Sequence, residues 1–558
     1  MAENGTELRI KGGKVYDPAN GIDGEVRDIL VRDGRIVDKV SEKARTFNIP
    51  GMVVMPGGID IHCHIAGPKV NLSRKLQPED HRLDVHPGTD VTRSGVGGVT
   101  PSTFATGYRY AMLGYTTAFD AAVPPLAARH VIEEFHDTPV IDKGFYVLLG
   151  NNMFLYDLLK QGRKQDFKDA IAWWVTAARA ASVKLVNAGG DEFWKGRRNE
   201  NVTDVNEKID PFDLTPLHAT AAFIEAVDEL NMPHPAHIHC NNLGHSGNIQ
   251  TTLDTMKAAE GHRAHIAHVQ FHSYAGELGK RVQTGSEAII DYINTHENIT
   301  TDIGMVMFGK ATAMTADAPL TWMLRNKDTK WINADTECES GCGVMPFSYQ
   351  DTNYTHTMQW AIGLELFLLS QDPWRVMFST DHPNGASFRT YPRLIRLLMD
   401  RGFRAEMMKQ VNQKAISNSL LPQLDREYSL YEIAIITRAA PARALGLANK
   451  GHLGVGADAD ITIYTDDENR ERMFNAPRYV IKAGKPIIED HEFVDDHIGR
   501  FLHAEPVYDP AIEDHIRPFF DDYYSIRFNN YRVDASYLHD HEVMPLRNSG
   551  NGRKKKGK

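Results

Sequence analysis

The chain has 558 residues, of which 42% are hydrophobic and 24% charged, and its formal net charge is −11. An acidic balance argues against a general nucleic-acid binder, which needs a basic surface. No stretch reaches the roughly 18 consecutive apolar residues of a membrane span, so no membrane segment is expected.

In chain order, the start "MAENGTELRI" lacks the charged-then-apolar layout of a secretory signal. Residues 7 to 56 then alternate apolar and polar side chains in "ELRIKGGKVYDPANG" and "DILVRDGRIVDKV". Gly, Pro and Asn-Gly punctuate them, which predicts a small antiparallel module. From residue 58 the pattern changes to short apolar runs separated by helical stretches. The runs are "IDIHCH" (59–64), "YTTAFDAAV" (115–123), "KGFYVLLG" (143–150), "SVKLVNAGG" (182–190), "PAHIHCNN" (235–242), "AHIAHVQF" (264–271), "ITTDIGMV" (299–306) and "RVMFSTDHP" (375–383). Amphipathic patterns such as "DFKDAIAWWVTAARAA" and "PLHATAAFIEAVDELN" lie between them. Strands alternating with helices imply parallel pairing through right-handed crossovers, and eight such units make a (β/α)8 TIM barrel of the α/β class.

Beyond the barrel, "ITRAAPARALGL" (436–447) reads as helix, while "GHLGVGADADITIYT" (451–465) and "PRYVIKAGKPII" (477–488) return to strands. The later strands are expected to complete the first module. The domain reading is therefore a small composite β-sandwich from residues 1–56 plus 447–500, a barrel over 57–446, and a C-terminal extension, 501–558. That extension is rich in aromatics and His and ends in the basic "GRKKKGK", read as a solvated, disordered tail. The four cysteines, Cys63, Cys240, Cys338 and Cys342, are too few for a disulfide framework, so a reducing, cytoplasmic setting is expected. Cys338 and Cys342 in "CESGC" read as two thiols of a loop rather than a redox or metal pair.

In a barrel of this kind, chemistry sits at the C-terminal ends of the strands. Run one ends in His62 and His64, which share a face because residues i and i+2 of a strand point the same way. Run four carries Lys184, run five His237 and His239, run six His265 and His268, and run eight Asp381. Imidazole and carboxylate are ligands for zinc and similar divalent ions. Spacing alone does not choose within a pair, but the more C-terminal residue lies nearer the mouth. That favours His239 and His268 as ligands and leaves His237 and His265 to supporting or packing roles. A buried lysine has to be neutralised, paired or modified. Lys184 is either paired with a carboxylate or carboxylated to a carbamate that can bridge two ions, and physics alone leaves both open.

These residues resemble a family pattern. "PGGIDIHCHI" is similar to the His-x-His strand of the metal-dependent amidohydrolases, and "VKLV", "IHCNN", "AHV" and "STDHP" resemble the later ligand segments of its hydantoinase and dihydroorotase branch. "HIAGPKVNLSRKLQPEDHR", "PHPAHIHCNNLG", "HVQFHSY" and "STDHPNGASFRTYPRLI" resemble more narrowly the A subunits of formylmethanofuran dehydrogenase and of the formyltransferase/hydrolase complex. The insert with "DTECESGCGVMPFSYQDTNYTHTMQWAIGLELFLLSQDPW" also resembles that subfamily.

The resemblance implies two zinc ions, one held by His62, His64, Lys184 and Asp381 and the other by Lys184, His239 and His268. Lys184 would be N6-carboxylated and bridge them, with Asp381 moving the proton between water and a departing amine. The implied reaction interconverts an N-formylated furan-type carrier (formylmethanofuran or formylmethylofuran) and water with formate and the free amine. The implied partners are that carrier, formate and the other subunits of a dehydrogenase or formyltransferase/hydrolase complex. Lys69, Arg74, Lys75 and Arg82, read as a basic loop after His64, and Asn241 are the candidate substrate contacts; the alternative for the loop is a solvated or subunit-facing segment. Two rival functions are a cyclic-amide hydrolase and a non-catalytic scaffold within a complex.

Overall fold

The alternation in residues 7–56 is realised as strands β1 (Glu7–Asp17), β2 (Ile22–Arg32), β3 (Arg35–Val37), β4 (Arg45–Asn48) and β5 (Val53–Pro56). The computed structural model describes residues 7–190, 204–210, 212–314, 332–333 and 343–547. Cys338, Cys342 and the basic tail lie outside the described residues. β1 changes partner midway. Leu8–Lys11 run parallel to β4, and Lys14–Val15 run parallel to β5. The register breaks between Ile10 and Gly13, and a side chain on Gly13 would collide with Val54 and Ile49. Glycine there lets the two strands approach.

Eight parallel strands follow, one for each apolar run. They are β6 (Gly58–Cys63), β7 (Tyr115–Val123), β8 (Asp142–Leu148), β9 (Ser182–Val186), β10 (Ala236–His239), β11 (Ala264–Ile266), β12 (Ile299–Asp302) and β13 (Val376–Met377). Each pairs in parallel with the next. The ring closes more lightly, through a bridge between Cys63 and His382 and a 2.8 Å bond from the His64 N–H to the His382 carbonyl. The helices that matter below are α1 (Pro68–Leu76), α2 (Lys164–Ala178), α3 (Pro216–Glu229), α4 (Tyr354–Leu369), α5 (Ala440–Leu445) and α6 (Glu513–Tyr523). α3 starts as its sequence dictates: the Thr215 side chain accepts the His218 N–H and Pro216 opens the helix. The segment after His64, expected as a loop, is helix α1. Pro68 at its first position supplies a fixed φ, and Arg74 and Lys75 sit in its last turn, where cations suit the helix dipole.

Strands β14 (Ile461–Tyr464), β15 (Tyr479–Lys482), β16 (Lys485–Glu489) and β17 (Glu492–Phe493) return to the first module. β14 pairs antiparallel with β5, giving one nine-stranded sheet from both ends of the chain. Its own core includes Leu8, Ile10, Val15, Ile461 and Ile463. β18 (Phe501–Ala504) then joins the barrel sheet in parallel beside β8, and β19 (His541–Met544) pairs with β18. Between them, aromatics cover α2. Trp173 stacks on Phe528 with centroids 5.3 Å apart, and its indole N–H donates to Glu513 at 3.1 Å.

One buried charge cluster ties these parts together. Lys450 lies 2.5 Å from Asp142, 3.0 Å from Asp458 and 2.8 Å from Asp460. Lys482 lies 2.7 Å from Asp142 and 2.8 Å from Asp460, and Arg500 pairs with Asp142 and Asp458. Burial opposes charge on Asp142 and Asp460, but Lys450 and Lys482 outweigh it and hold both carboxyls below their ordinary value. The stability these groups confer is therefore complete above the ordinary carboxylate value and is lost as pH falls toward the depressed folded ones. Lys450→Met leaves three buried carboxylates short of a cation. It is expected to cost about 3–5 kcal/mol at neutral pH, read by chemical denaturation, with the difference from wild type narrowing below about pH 4.

Candidate metal centre

The first strand sets the site through a break in its own pleat. The pairing of β6 with β7 slips between Asp60 and Cys63. Asp60 accepts from the hydroxyls of Tyr110 (2.8 Å) and Tyr391 (2.5 Å) and from the His62 N–H (3.1 Å), and burial pushes its carboxyl up to about 6. His62 and His64 instead reach together to Asp381, whose Oδ1 lies 3.0 Å from Nε2 of each. Irregularities of this kind re-aim side chains beside active sites. Burial raises the Asp381 carboxyl, but His62 and His64 win and hold it well below the carboxylate range. Asn384 donates to the same oxygen at 2.9 Å.

Two further carboxylates fix the histidines. Asp120, on β7, accepts the N–H groups of Ile65 (2.8 Å) and Ala66 (3.1 Å) and lies 3.6 Å from Nδ1 of His64. Asp302, ending β12, lies 2.7 Å from Nδ1 of His62 and accepts the His268 N–H at 2.6 Å. The apolar runs contain both residues, but nothing in their spacing singles either out.

The second group is made of imidazoles. His239 ends β10, and His268 follows β11 with a backbone φ of +33°, in the left-handed region. That residue starts a tight turn, Val269–His272, which carries His272 back toward the other two. Ring centroids are 4.7 Å apart for His239 and His268, 5.1 Å for His239 and His272, and 5.2 Å for His268 and His272. All three are buried, and none of their ring nitrogens has a hydrogen-bond partner among the described residues. His272 is not among the residues expected from sequence; its spacing of four from His268, one turn of a helix, is the available signal.

Lys184, on β9, is wholly buried in the same interior. Burial lowers the pKa of His62's neighbours His237, His239 and His268, and the Lys184 cation adds to that. His272 is pushed down to about 3 for the same two reasons. All four are therefore neutral at neutral pH, and His239, His268 and His272 carry open lone pairs.

The remaining candidates separate. His237 and His265 stack on each other at 4.6 Å, and His265 Nδ1 is 2.9 Å from the Thr300 hydroxyl. Lys69 is buried beside a small cavity that His64 and Asp120 also line, and its ammonium has no hydrogen-bond partner among the described residues. Arg74 is turned inward to Asn71 (2.9 Å) and the Pro101 carbonyl (3.0 Å), so it anchors α1. Lys75 and Arg82 are exposed. Asn241 donates to Asn187 (2.8 Å) and the Ala188 carbonyl (3.1 Å), which ties the loops after β9 and β10 together.

The donor set fits divalent metal. Ligand atoms of His62, His64 and Asp381 lie within 4.8 Å of one another, as do those of His239, His268 and His272. A buried polar atom left unsatisfied costs about 1–3 kcal/mol, and a cation accepting these lone pairs relieves that cost. Imidazole with carboxylate is a zinc-type environment.

An amidohydrolase family model matches residues 45–488. Protein FwdA of Methanocaldococcus jannaschii is 40% identical, over 97% of this chain and 99% of its own. The A subunit of the formyltransferase/hydrolase complex Fhc of Methylorubrum extorquens is 38% identical, over 95% of this chain and 97% of its own. Among solved structures, a chain of the Methylorubrum extorquens complex FhcABCD, crystallised with methylofuran, superposes with a TM-score of 0.90 at 36% identity. It covers 97% of this chain and 100% of that one.

The left-handed turn at His268 needs Gly304 opposite it. A Cβ on Gly304 would collide with the His268 Cβ and lie 2.8 Å from its Cα, and Gly304 itself has φ +70°. Gly304→Ala is expected to destabilise the chain by about 2–4 kcal/mol, measured by denaturant midpoint, and to lower the metal bound per folded chain.

Proposed function

The chain belongs to the amidohydrolase family, and from that premise we propose that it is the hydrolytic component of a cytoplasmic one-carbon complex. It interconverts an N-formylated, furan-type aminomethyl carrier and water with formate and the free amine. The observation that carries this reading is the convergence of His62, His64, Lys184, His239, His268 and Asp381 inside one barrel. That barrel belongs to a chain that aligns nearly end to end with a component of a formyltransferase/hydrolase complex.

His62, His64 and Asp381 would hold one divalent ion and His239 and His268 the other, with Lys184, carboxylated on Nζ, reaching both; zinc suits this imidazole-rich set. Such a pair of ions supplies an activated water and a Lewis acid for the formyl oxygen. Carboxylation of Lys184 replaces a cation that weighs on His239 and His268 with an anion, which supports the bridging role. Asp381 is held ionised by His62 and His64. It takes a proton from the attacking water and delivers it to the amine nitrogen as the C–N bond breaks. One water is consumed, and formate and a primary amine leave. The buried Lys69 ammonium beside His64 favours formate, and the exposed Lys75 and Arg82 suit an anionic carrier tail. The remaining subunits of such a complex are its partners.

Formate release from an N-formylfurfurylamine carrier by the purified native complex tests this. About two zinc ions per chain are expected. Lys184→Ala is expected to lose most metal and activity and to recover part of both with added short carboxylates. Asp381→Asn is expected to lower kcat by about 10²–10⁴-fold. Turnover of hydantoins or dihydropyrimidines without the formamide, or a native chain with next to no metal, defeats the reading.

A further inference from the structure

Three imidazoles stand in single file between the candidate metal centre and helix α5. Nδ1 of His62 lies 2.9 Å from Nε2 of His237. Nδ1 of His237 lies 2.9 Å from Nε2 of His234, and Nδ1 of His234 lies 2.9 Å from the carbonyl oxygen of Ala444. All three rings are wholly buried. Tyr146 stacks on His237 at 4.6 Å and on His234 at 4.9 Å, which keeps the rings in line. The chemistry proposed above uses neither His234 nor His237.

Each contact in the file needs one N–H and one lone pair, and a neutral imidazole has one of each. Both ends of the file can only accept. At the mouth, the Asp302 carboxylate lies 2.7 Å from His62 Nδ1, so that nitrogen carries the proton. His237 Nε2 must then be bare, which puts the His237 proton on Nδ1. That proton faces His234 Nε2, which must be bare in turn, so the His234 proton sits on Nδ1 and meets the Ala444 carbonyl. Starting from Ala444 gives the same assignment. One arrangement satisfies every contact within the file, and the two ends agree on it. His62 Nε2 is left bare, 3.0 Å from Asp381 Oδ1, the oxygen with which it would share an ion.

We propose that His234 and His237 are positioning residues that, together with Asp302, lock His62 in its Nδ1–H tautomer and so present the Nε2 lone pair to the metal centre. The inference rests on the metal reading above. The file does not export protons, because it ends at a backbone carbonyl. It also separates His237 from His239: both nitrogens of His237 are engaged in the file, and both of His239 are open.

His237→Phe keeps a ring beneath Tyr146 but removes the acceptor; His237→Gln keeps an acceptor near the Nε2 position. Zinc per chain across a graded chelator series and the visible spectrum of the cobalt-substituted protein are the readouts. His237→Phe is expected to weaken metal binding about 10–100-fold and to change the cobalt spectrum, with His237→Gln close to wild type. Equal binding by His237→Phe and wild type, or a Gln variant as weak as the Phe variant, overturns the proposal. Neutron diffraction of the deuterated wild-type protein decides the same point without a variant: deuterons on Nδ1 of His62, His237 and His234 are expected, and one on Nε2 of His237 overturns it. Loss of metal from the wild type itself would instead strike at the metal reading, and the deuteron positions would still report on the file.

Discussion

Lys184 is wholly buried in the barrel, and the imidazoles packed around it must stay uncharged or find a carboxylate. That constraint sorts the interior. His239, His268 and His272 stay neutral and keep open lone pairs, because burial opposes protonation. His62 goes the other way: Asp302 and Asp381 outweigh burial and raise its pKa. The carboxylates are placed where histidines need orienting. Asp120 serves His64, Asp302 serves His62 and the backbone of His268, and Asp381 joins the two strand-one rings.

A second buried polar cluster shows what a structural solution looks like in the same molecule. Asp142, Asp458 and Asp460 also lie close enough together to hold a cation. There the chain supplies its own cations, Lys450, Lys482 and Arg500, each within bonding distance. Those residues come from β8, the composite sheet and the approach to β18, so the cluster locks three parts of the fold. The contrast between the two clusters is one of satisfaction. Buried polar groups are normally paired, and open nitrogens concentrated among His239, His268 and His272 mark a place built for something the chain does not itself provide.

Much of this is legible in residue order. Period-two spacing places His62 and His64 on one face, and the eight apolar runs each become a barrel strand. The composite sheet is legible because strand patterns reappear after residue 451. Other features depend on backbone that composition does not announce. His272 reaches His239 and His268 only because His268 takes a left-handed turn, and Gly304 is what permits that turn. Asp302 sits inside a run that reads as a plain strand. Helix α1 reads as a loop because Gly67 precedes it and Pro68 opens it, although Pro at a first helical position is a start signal. The His234–His237–His62 file joins residues 175 positions apart, beyond the reach of any local pattern.

The barrel's last seam is built differently from the others. Seven of its junctions are strand ladders, whereas β6 meets the segment after β13 through one backbone bridge and one hydrogen bond. His64 and Asp381 stand on opposite sides of that opening, with His62 beside them. A cation gripped there would work as the clasp of a bracelet. On the metal reading proposed above, loading the centre and fastening the hoop would be a single act.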